Sequence, residues 1–187
     1  LYLTDKELGI GSREAPEDVA RVLSRYVDAI MIRTFDEAVL EEMADYASVP
    51  VINGLSDFCH PCQVLGDVLT IWEQRGEVKD QKLAFVGDGH NMAHSLLFIG
   101  SKLGIHTTIA SPVGYEPHPA ALRLAQEAAK ESGAQIAVTH DPVEAVAEAD
   151  VVYTDVWTSM GQEAEAEYRE EYRDRLPDAA AMRVALL

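Results

Sequence analysis

The chain has 187 residues, enough for one large domain or for parts of two. Hydrophobic residues make up 48% of it, so a packed core is expected and intrinsic disorder is excluded. Its 15 basic and 32 acidic residues give a formal net charge of −17, which repels nucleic acid and anionic membranes. Because lysine is scarce, this acidic composition also favours adaptation to high salt, which screens self-repulsion.

The sequence shows no membrane or export signal. No apolar run approaches the ~20 residues that a transmembrane helix needs. Residues 1–5 (LYLTD) lack the basic region and apolar stretch of a signal peptide. We therefore expect a cytoplasmic protein with no membrane and no nucleic-acid partner. The first residue is not Met, so we expect that the chain is a truncated piece of a longer protein.

Val- and Ile-rich runs alternate with segments of helical period, a pattern typical of parallel β-α units. The predicted strands are 28–35, 49–53, 82–87, 107–110, 136–139 and 151–154. The predicted helices are 37–46, 60–74, 91–103, 119–132, 142–147 and 162–175. In the first, we expect Leu40, Met43 and Ala44 to face inward, and in the second, one apolar face is formed by Val64, Leu65, Val68, Leu69 and Trp72. This order predicts an α/β protein with a doubly wound, Rossmann-like parallel sheet. We expect residues 1–57 to be the end of one α/β domain and 58–187 to be most of a second.

Candidate ligand-binding residues follow the predicted strands, because ligands of such sheets bind beyond the carboxyl ends of the strands. Arg33 ends an apolar strand. It either forms a salt bridge to Asp36 or Glu37, or it holds an anion, for which the planar guanidinium suits phosphate. Both interpretations remain open from the residues alone.

The turn 87–91 (GDGHN) follows a strand and opens a helix, as a phosphate-binding loop would. Met92 occupies the place of the third glycine of a dinucleotide fingerprint. Ser111 stands where an acidic residue would bind a ribose, so a nicotinamide enzyme is disfavoured. On this motif alone, an ordinary tight turn is favoured about two to one over a binding loop.

Cys59 and Cys62 form a C-x-x-C at a predicted helix start, where the helix N-terminus would lower a thiol pKa as in redox pairs. A zinc site would need two more ligands, and the sequence has no second C-x-x-C and no H-x-H pair. Taken alone, two chance cysteines are the favoured explanation.

The loop 153–161 (YTDVWTSMG) places an acid, hydroxyls and a glycine after the last predicted strand. Asp155 could cap a turn while Trp157 packs in the core. Alternatively, its carboxylate beside exposed backbone N–H groups would suit a zwitterionic amino acid.

Six segments together carry a family resemblance: 21–25 (RVLSR), 33–35 (RTF), 49–55 (VPVINGL), 60–63 (HPCQ), 87–91 (GDGHN) and 154–161 (TDVWTSMG). In order and spacing they resemble the ornithine carbamoyltransferases, over about residues 3–173. The H-P-x-Q motif and the strand-end arginine are shared with aspartate carbamoyltransferases. The S-M-G loop points to ornithine.

The resemblance implies a reaction in which the neutral δ-amine of L-ornithine attacks carbamoyl phosphate, giving L-citrulline and phosphate without a metal or an organic cofactor. It implies that catalysis and carbamoyl phosphate binding belong to Arg33, His60 and Gln63. It implies that ornithine is bound by Asn91, Asp155, Ser159 and Met160. Family members are usually homotrimers, so a homo-oligomer is expected, and the C-x-x-C becomes incidental.

The sequence also departs from the family. Its S-x-R-T-R phosphate loop would precede residue 1, its H-C-L-P loop would follow residue 187, and its Y-Q-V-N segment is not recognisable. His90 replaces the first of two asparagines, and Glu7 stands where some relatives have a glutamine. We therefore expect the isolated chain to be inactive, although its parent protein is an enzyme.

Three alternatives remain. The chain could be a non-catalytic amino-acid-binding domain derived from the family, or a carbamoyltransferase for another amine such as acetylornithine or putrescine. The third is a thiol oxidoreductase that uses Cys59 and Cys62.

Overall fold

A computed structural model describes residues 1–155 of the chain. Two compact units are present, Leu1–Leu65 and Gly66–Leu187, and the second is described as far as Asp155. The division falls inside one helix rather than in a loop. The helix predicted at 162–175 lies outside the described residues.

The first unit is a parallel β-α-β unit preceded by helices. Its elements are α1 (Asp5–Leu8), α2 (Pro16–Leu23), β1 (Ile30–Arg33), α3 (Glu37–Tyr46) and β2 (Val51–Leu55). Strands β1 and β2 pair in parallel, with an irregularity in the register just before Arg33. Val19, Ala20, Ile30 and Met43 form its buried core.

Helix α3 has the predicted bounds and begins at Asp36, whose side chain accepts a hydrogen bond from the Ala38 N–H (2.9 Å). Met43 is buried, as expected, but Ala44 is exposed, so its predicted inward position was wrong. A ten-residue helix on the flank of a two-stranded sheet buries only a narrow stripe, and Ala44 lies about 100° around the helix from Met43.

Helix α4 (Pro61–Arg75) follows β2 and carries the division between the units. Val64 and Ile71 are buried, whereas Leu65, Leu69 and Trp72 are about half exposed. The apolar face predicted for this helix is therefore only partly buried within the part of the chain that the structure describes.

The second unit alternates strands and helices after α4: β3 (Lys82–Val86), α5 (Asn91–Leu103), β4 (His106–Ala110), α6 (Pro119–Ser132), β5 (Ile136–Thr139), α7 (Pro142–Val146) and β6 (Val151–Thr154). The sheet order is β5-β4-β3-β6, and every pair is parallel. The chain thus moves outward from β3 to β5 and returns to β6 on the opposite side of β3. This reversal confirms the doubly wound α/β fold, and its switch point lies between β3 and β6.

The consecutive burial of residues 83–86 in β3 shows that both faces of the central strand are covered, as in other parallel sheets. The predicted helix ends were accurate because the local signals are strong. Gly104 and Gly133 adopt left-handed conformations that end α5 and α6. The Asp141 carboxylate accepts hydrogen bonds from the backbone N–H groups of Val143 and Glu144, as a helix cap does.

Among residues 1–155, no helix is both long enough and apolar enough to cross a membrane.

Gly89→Ala should strongly destabilise the second unit. A Cβ at Gly89 would lie 2.2 Å from the Pro117 backbone nitrogen and 2.6 Å from the Tyr115 carbonyl oxygen. Backbone atoms cannot move aside as flexible side chains do, so we expect a loss of about 2 kcal/mol or more in unfolding free energy. Gly66→Ala is the matched control, because a Cβ there meets nothing within 4 Å and α4 would gain about 0.5–1 kcal/mol from alanine. Thermal unfolding followed by circular dichroism measures both, and equal effects of the two substitutions would contradict the packing at Gly89.

Candidate functional site

Arg33 is the last residue of β1 and its side chain is exposed. The register irregularity before it sets Arg33 opposite Leu55 rather than Gly54. Two carboxylates follow Arg33 in the chain: Asp36 caps α3, and Glu37 Oε1 accepts a hydrogen bond from the Cys59 thiol (3.7 Å). The end of β1 therefore carries an exposed arginine side chain close in sequence to the start of α3.

A tight loop joins β2 to α4 and places His60 directly before the helix. Ser56 is fully buried in this loop; its N–H donates to the Cys59 carbonyl (2.9 Å) and its Oγ accepts from the Cys59 N–H (3.1 Å). Gln63 lies in the first turn of α4 and is exposed. This turn contains no acidic residue, so the positive end of the helix dipole is not neutralised locally.

Arg33, His60 and Gln63 thus belong to one unit, where they follow the carboxyl ends of the paired strands β1 and β2. A guanidinium, an imidazole and an amide beside a helix N-terminus provide hydrogen-bond donors and positive potential. Such a set can hold a phosphate or polarise a carbonyl oxygen.

The two cysteines form no disulfide and are part of the loop's internal packing. Cys59 Sγ accepts a hydrogen bond from Asn53 Nδ2 (3.2 Å), and the Cys62 thiol donates to the Asn53 carbonyl (3.3 Å). Burial, and then the negative charge of Glu37, raise the pKa of Cys59 to about 11. Little thiolate therefore exists at neutral pH, the opposite of what a redox pair requires.

In the second unit, the turn 87–91 follows β3 at the switch point. The Gly87 N–H donates to the Ala110 carbonyl (3.0 Å) and the Gly89 N–H donates to the Tyr115 carbonyl (2.7 Å), which fixes the turn against the segment after β4. Asn91 is the first residue of α5 and is buried, and the first turn of α5 contains no acidic residue. His90 Nδ1 is buried and has no hydrogen-bond partner within the described part of the chain.

Asp155 follows β6 directly and is partly buried. Val86 of β3 is paired with Thr154 of β6, so the 87–91 turn and Asp155 leave neighbouring strands at the same edge of the sheet. The structure therefore places Asn91 and Asp155 on the two sides of the switch point. Ser159 and Met160, the other residues predicted to contact ornithine, lie outside the described residues.

A contact between β6 and α4, which lies close in sequence to Asp155, was not predicted from the sequence. The Tyr153 hydroxyl donates to Asp67 Oδ2 of α4 (3.0 Å), and burial together with the Asp67 charge raises the pKa of Tyr153. Asp67 lies four residues after Gln63 on α4, and Tyr153 lies two residues before Asp155. These spacings were the available signal, but the pairing of residues 86 positions apart is visible only in the fold.

Within residues 1–155, no group of three or more His, Cys, Asp or Glu side chains is arranged to hold a metal ion.

Two family models match the chain in sequence order. Residues 1–73 match the carbamoyl-P binding domain of aspartate/ornithine carbamoyltransferases, and residues 79–184 match the Asp/Orn binding domain of the same proteins. The resemblance noted from the six segments is thereby confirmed.

Individual relatives agree with the family models. The ornithine carbamoyltransferase of Anoxybacillus flavithermus is 59% identical over 169 residues, which cover 90% of this chain and 54% of that protein. The structure of the Pyrococcus furiosus ornithine carbamoyltransferase superposes with a TM-score of 0.86 at 56% identity, over 91% of this chain and 55% of that one. The anabolic enzyme of Campylobacter jejuni gives a TM-score of 0.88 at 39% identity, over 99% of this chain and 62% of that one.

The chain spans about half the length of the curated relatives it matches. The two matched domains follow one another in the chain and together cover most of it. The chain belongs to the aspartate/ornithine carbamoyltransferase family.

Proposed function

We propose that the chain serves carbamoyl transfer from carbamoyl phosphate to the δ-amine of L-ornithine, which gives L-citrulline and phosphate. The observation that carries this proposal is the position of Asn91 and Asp155 on either side of the β3/β6 switch point. A carboxylate and an amide at a helix N-terminus suit the ammonium and carboxylate groups of an amino acid. The names of the relatives, which are ornithine carbamoyltransferases at up to 59% identity, support ornithine as that amino acid.

In this proposal the first unit binds the carbamoyl donor. The Arg33 guanidinium holds the phosphate and the carbonyl oxygen, and His60 and Gln63 bind the carbamoyl group. When the amine attacks, the carbonyl oxygen gains negative charge, which these donors and the α4 N-terminus stabilise by several kcal/mol. The carbon–oxygen bond to phosphate then breaks, phosphate leaves with the electron pair, and the new amide nitrogen loses a proton.

The second unit orients the acceptor. Asn91 and the first N–H groups of α5 bind the α-carboxylate of ornithine, and Asp155 binds its α-ammonium group. Ser159 and Met160 complete the subsite in the proposal. Fixing both groups at the α-carbon restricts the directions in which the side chain and its δ-amine can extend. Orientation of this kind can contribute as much to the rate as charge stabilisation does.

Two other functions within the family remain testable. A domain that binds the amino acid without turnover would keep Asn91 and Asp155 and would form no citrulline. An enzyme for another amine would keep the carbamoyl phosphate residues and change the acceptor. Four points stay predictions. They are assembly into a homotrimer, binding of carbamoyl phosphate and ornithine, a location in the cytoplasm, and inactivity of the isolated chain.

The thiol oxidoreductase is disfavoured because the raised pKa of Cys59 leaves few thiolates to act as nucleophiles at neutral pH.

The ornithine site can be tested by calorimetric titration of this chain with ornithine, at low and at molar salt. We expect binding that Asp155→Asn weakens at least about tenfold, since a hydrogen bond between charged groups is worth about 1.5–3 kcal/mol. Asp28→Asn, which removes an exposed carboxylate in the first unit, is the matched control and should change nothing. Equal binding by wild type and Asp155→Asn would reject the assignment, and citrulline formation by the chain would reject the binding-domain alternative.

The donor site can be tested with Arg33→Lys, which keeps the positive charge and removes the planar fork. We expect carbamoyl phosphate to bind about tenfold more weakly, because lysine cannot make the bidentate contact. Arg25→Lys, an exposed arginine before β1, should bind as wild type does. If both lysine variants retain wild-type affinity, Arg33 contributes only charge or nothing.

The alkylation of Cys59 by iodoacetamide should be slow at neutral pH. A pKa of about 11 rather than 9.0 leaves about 100-fold less thiolate, and the rate should keep rising with pH beyond 9. Glu37→Gln removes a negative charge beside the thiol, so it should lower the pKa and speed the reaction. Glu41→Gln, an exposed position on the same helix, is the control. Mass spectrometry of the labelled peptide gives the rate, and a Cys59 titration midpoint at or below 9 would refute the buried environment.

A further inference from the structure

Tyr153 of β6 contacts both helix α4 and strand β3 of the second unit. It lies in β6, two residues before Asp155, and its hydroxyl donates to the Asp67 carboxylate of α4 (3.0 Å). Both burial and the charges of Asp67 and Asp155 raise the pKa of Tyr153, so the phenol stays protonated and keeps donating this hydrogen bond.

The Tyr153 ring stacks on Phe85, its register partner in β3, with ring centroids 6.1 Å apart and ring planes inclined by 30°. Phe85 is 1% exposed. Its ring in turn lies under the turn after β3, because a Cβ at Gly87 would meet Phe85 Cζ at 3.1 Å. Gly87, the first residue of the 87–91 turn, therefore packs on the Phe85 ring, and the Phe85 ring packs on the Tyr153 ring.

The sheet geometry makes these contacts relevant to Asp155. A tyrosine fixed at its far end by a hydrogen bond to a carboxylate has little freedom to rotate. Asp155 follows Tyr153 by two residues, so this restraint acts on the strand directly before Asp155.

We propose that Tyr153, anchored by Asp67, is a positioning residue for both halves of the ornithine subsite: it holds Asp155 through the β6 backbone and the 87–91 turn through Phe85. This inference rests on the proposed function for the identity of the ligand. Tyr153 lies inside β6, before the strand end at which the proposed ligand binds. We therefore assign it no contact with the reacting atoms. Its effect should therefore appear in the affinity for the amino acid rather than in the binding of carbamoyl phosphate.

Calorimetry with ornithine and, separately, with carbamoyl phosphate tests the proposal on the full chain. Tyr153→Phe keeps the ring and removes the hydroxyl, and Asp67→Ala removes the acceptor. We expect each to raise the Kd for ornithine about tenfold, the scale of one hydrogen bond to a charged group. The Kd for carbamoyl phosphate should stay at the wild-type value. The double variant should be no worse than either single variant, because both break the same contact.

Two further variants separate positioning from general stability. Asp67→Asn keeps an oxygen that can accept from the phenol, so it should recover most of the ornithine affinity that Asp67→Ala loses. Tyr26→Phe removes a hydroxyl from an exposed tyrosine in the first unit and should bind both ligands as wild type does. A loss of affinity for both ligands in Tyr153→Phe, in proportion to a lowered Tm, would overturn the proposal, since a merely structural residue behaves in that way.

Hydrogen exchange of the ligand-free chain tests the positioning role of Tyr153 without ornithine. In Tyr153→Phe, amide exchange should accelerate in peptides that cover 87–91 and 153–155, and it should stay unchanged in the β4 peptide 106–110. Unchanged exchange at 87–91 and 153–155 would overturn the positioning role. If the wild-type chain binds no ornithine, the proposed function fails, while this exchange pattern still shows whether Tyr153 orders the two loops.

Discussion

The parallel pairing of β3 with both β4 and β6 is the constraint on which the candidate ornithine site depends. Because Val86 is paired with Ala110 on one side and with Thr154 on the other, the chain must leave all three strands at one edge. Two segments far apart in sequence, 87–91 and the residue after β6, are thereby brought to a common place. The polar groups there are held by a buried strand that cannot shift its register without exposing apolar side chains.

The acidic residues of this strongly acidic chain leave the first turns of two helices uncharged. The formal net charge is −17, yet the first turns of α4 and α5 contain no acidic residue. Each of these helices begins just after a strand and beside a proposed binding residue, His60 or Asn91. The local potential at a helix N-terminus acts over one turn, whereas the charge of the whole surface is screened by salt. In this proposal, high salt would weaken the repulsion of carbamoyl phosphate more than it weakens the binding contacts.

The pKa of Cys59 is set by its tertiary surroundings rather than by the C-x-x-C motif. A C-x-x-C before a helix predicts a lowered thiol pKa, because the helix dipole favours the thiolate. The fold instead buries Cys59 against the carboxylate of Glu37, and the pKa rises. Glu37 lies 22 residues earlier in the chain, on α3, so no local pattern indicates that the two groups meet. Desolvation and a neighbouring negative charge outweigh the dipole here.

The sequence by itself determined the order and bounds of most elements, because capping residues such as Asp36 and Asp141 and glycines such as Gly104 act within one turn of chain. It also indicated which residues stand at strand ends, since that follows from element order alone. Only the tertiary structure decided what those residues meet: the side of β3 on which β6 pairs, the burial of Cys59 and the Tyr153–Asp67 hydrogen bond. Contacts of this kind join distant parts of the chain, and their energies arise from burial and register that no local pattern encodes.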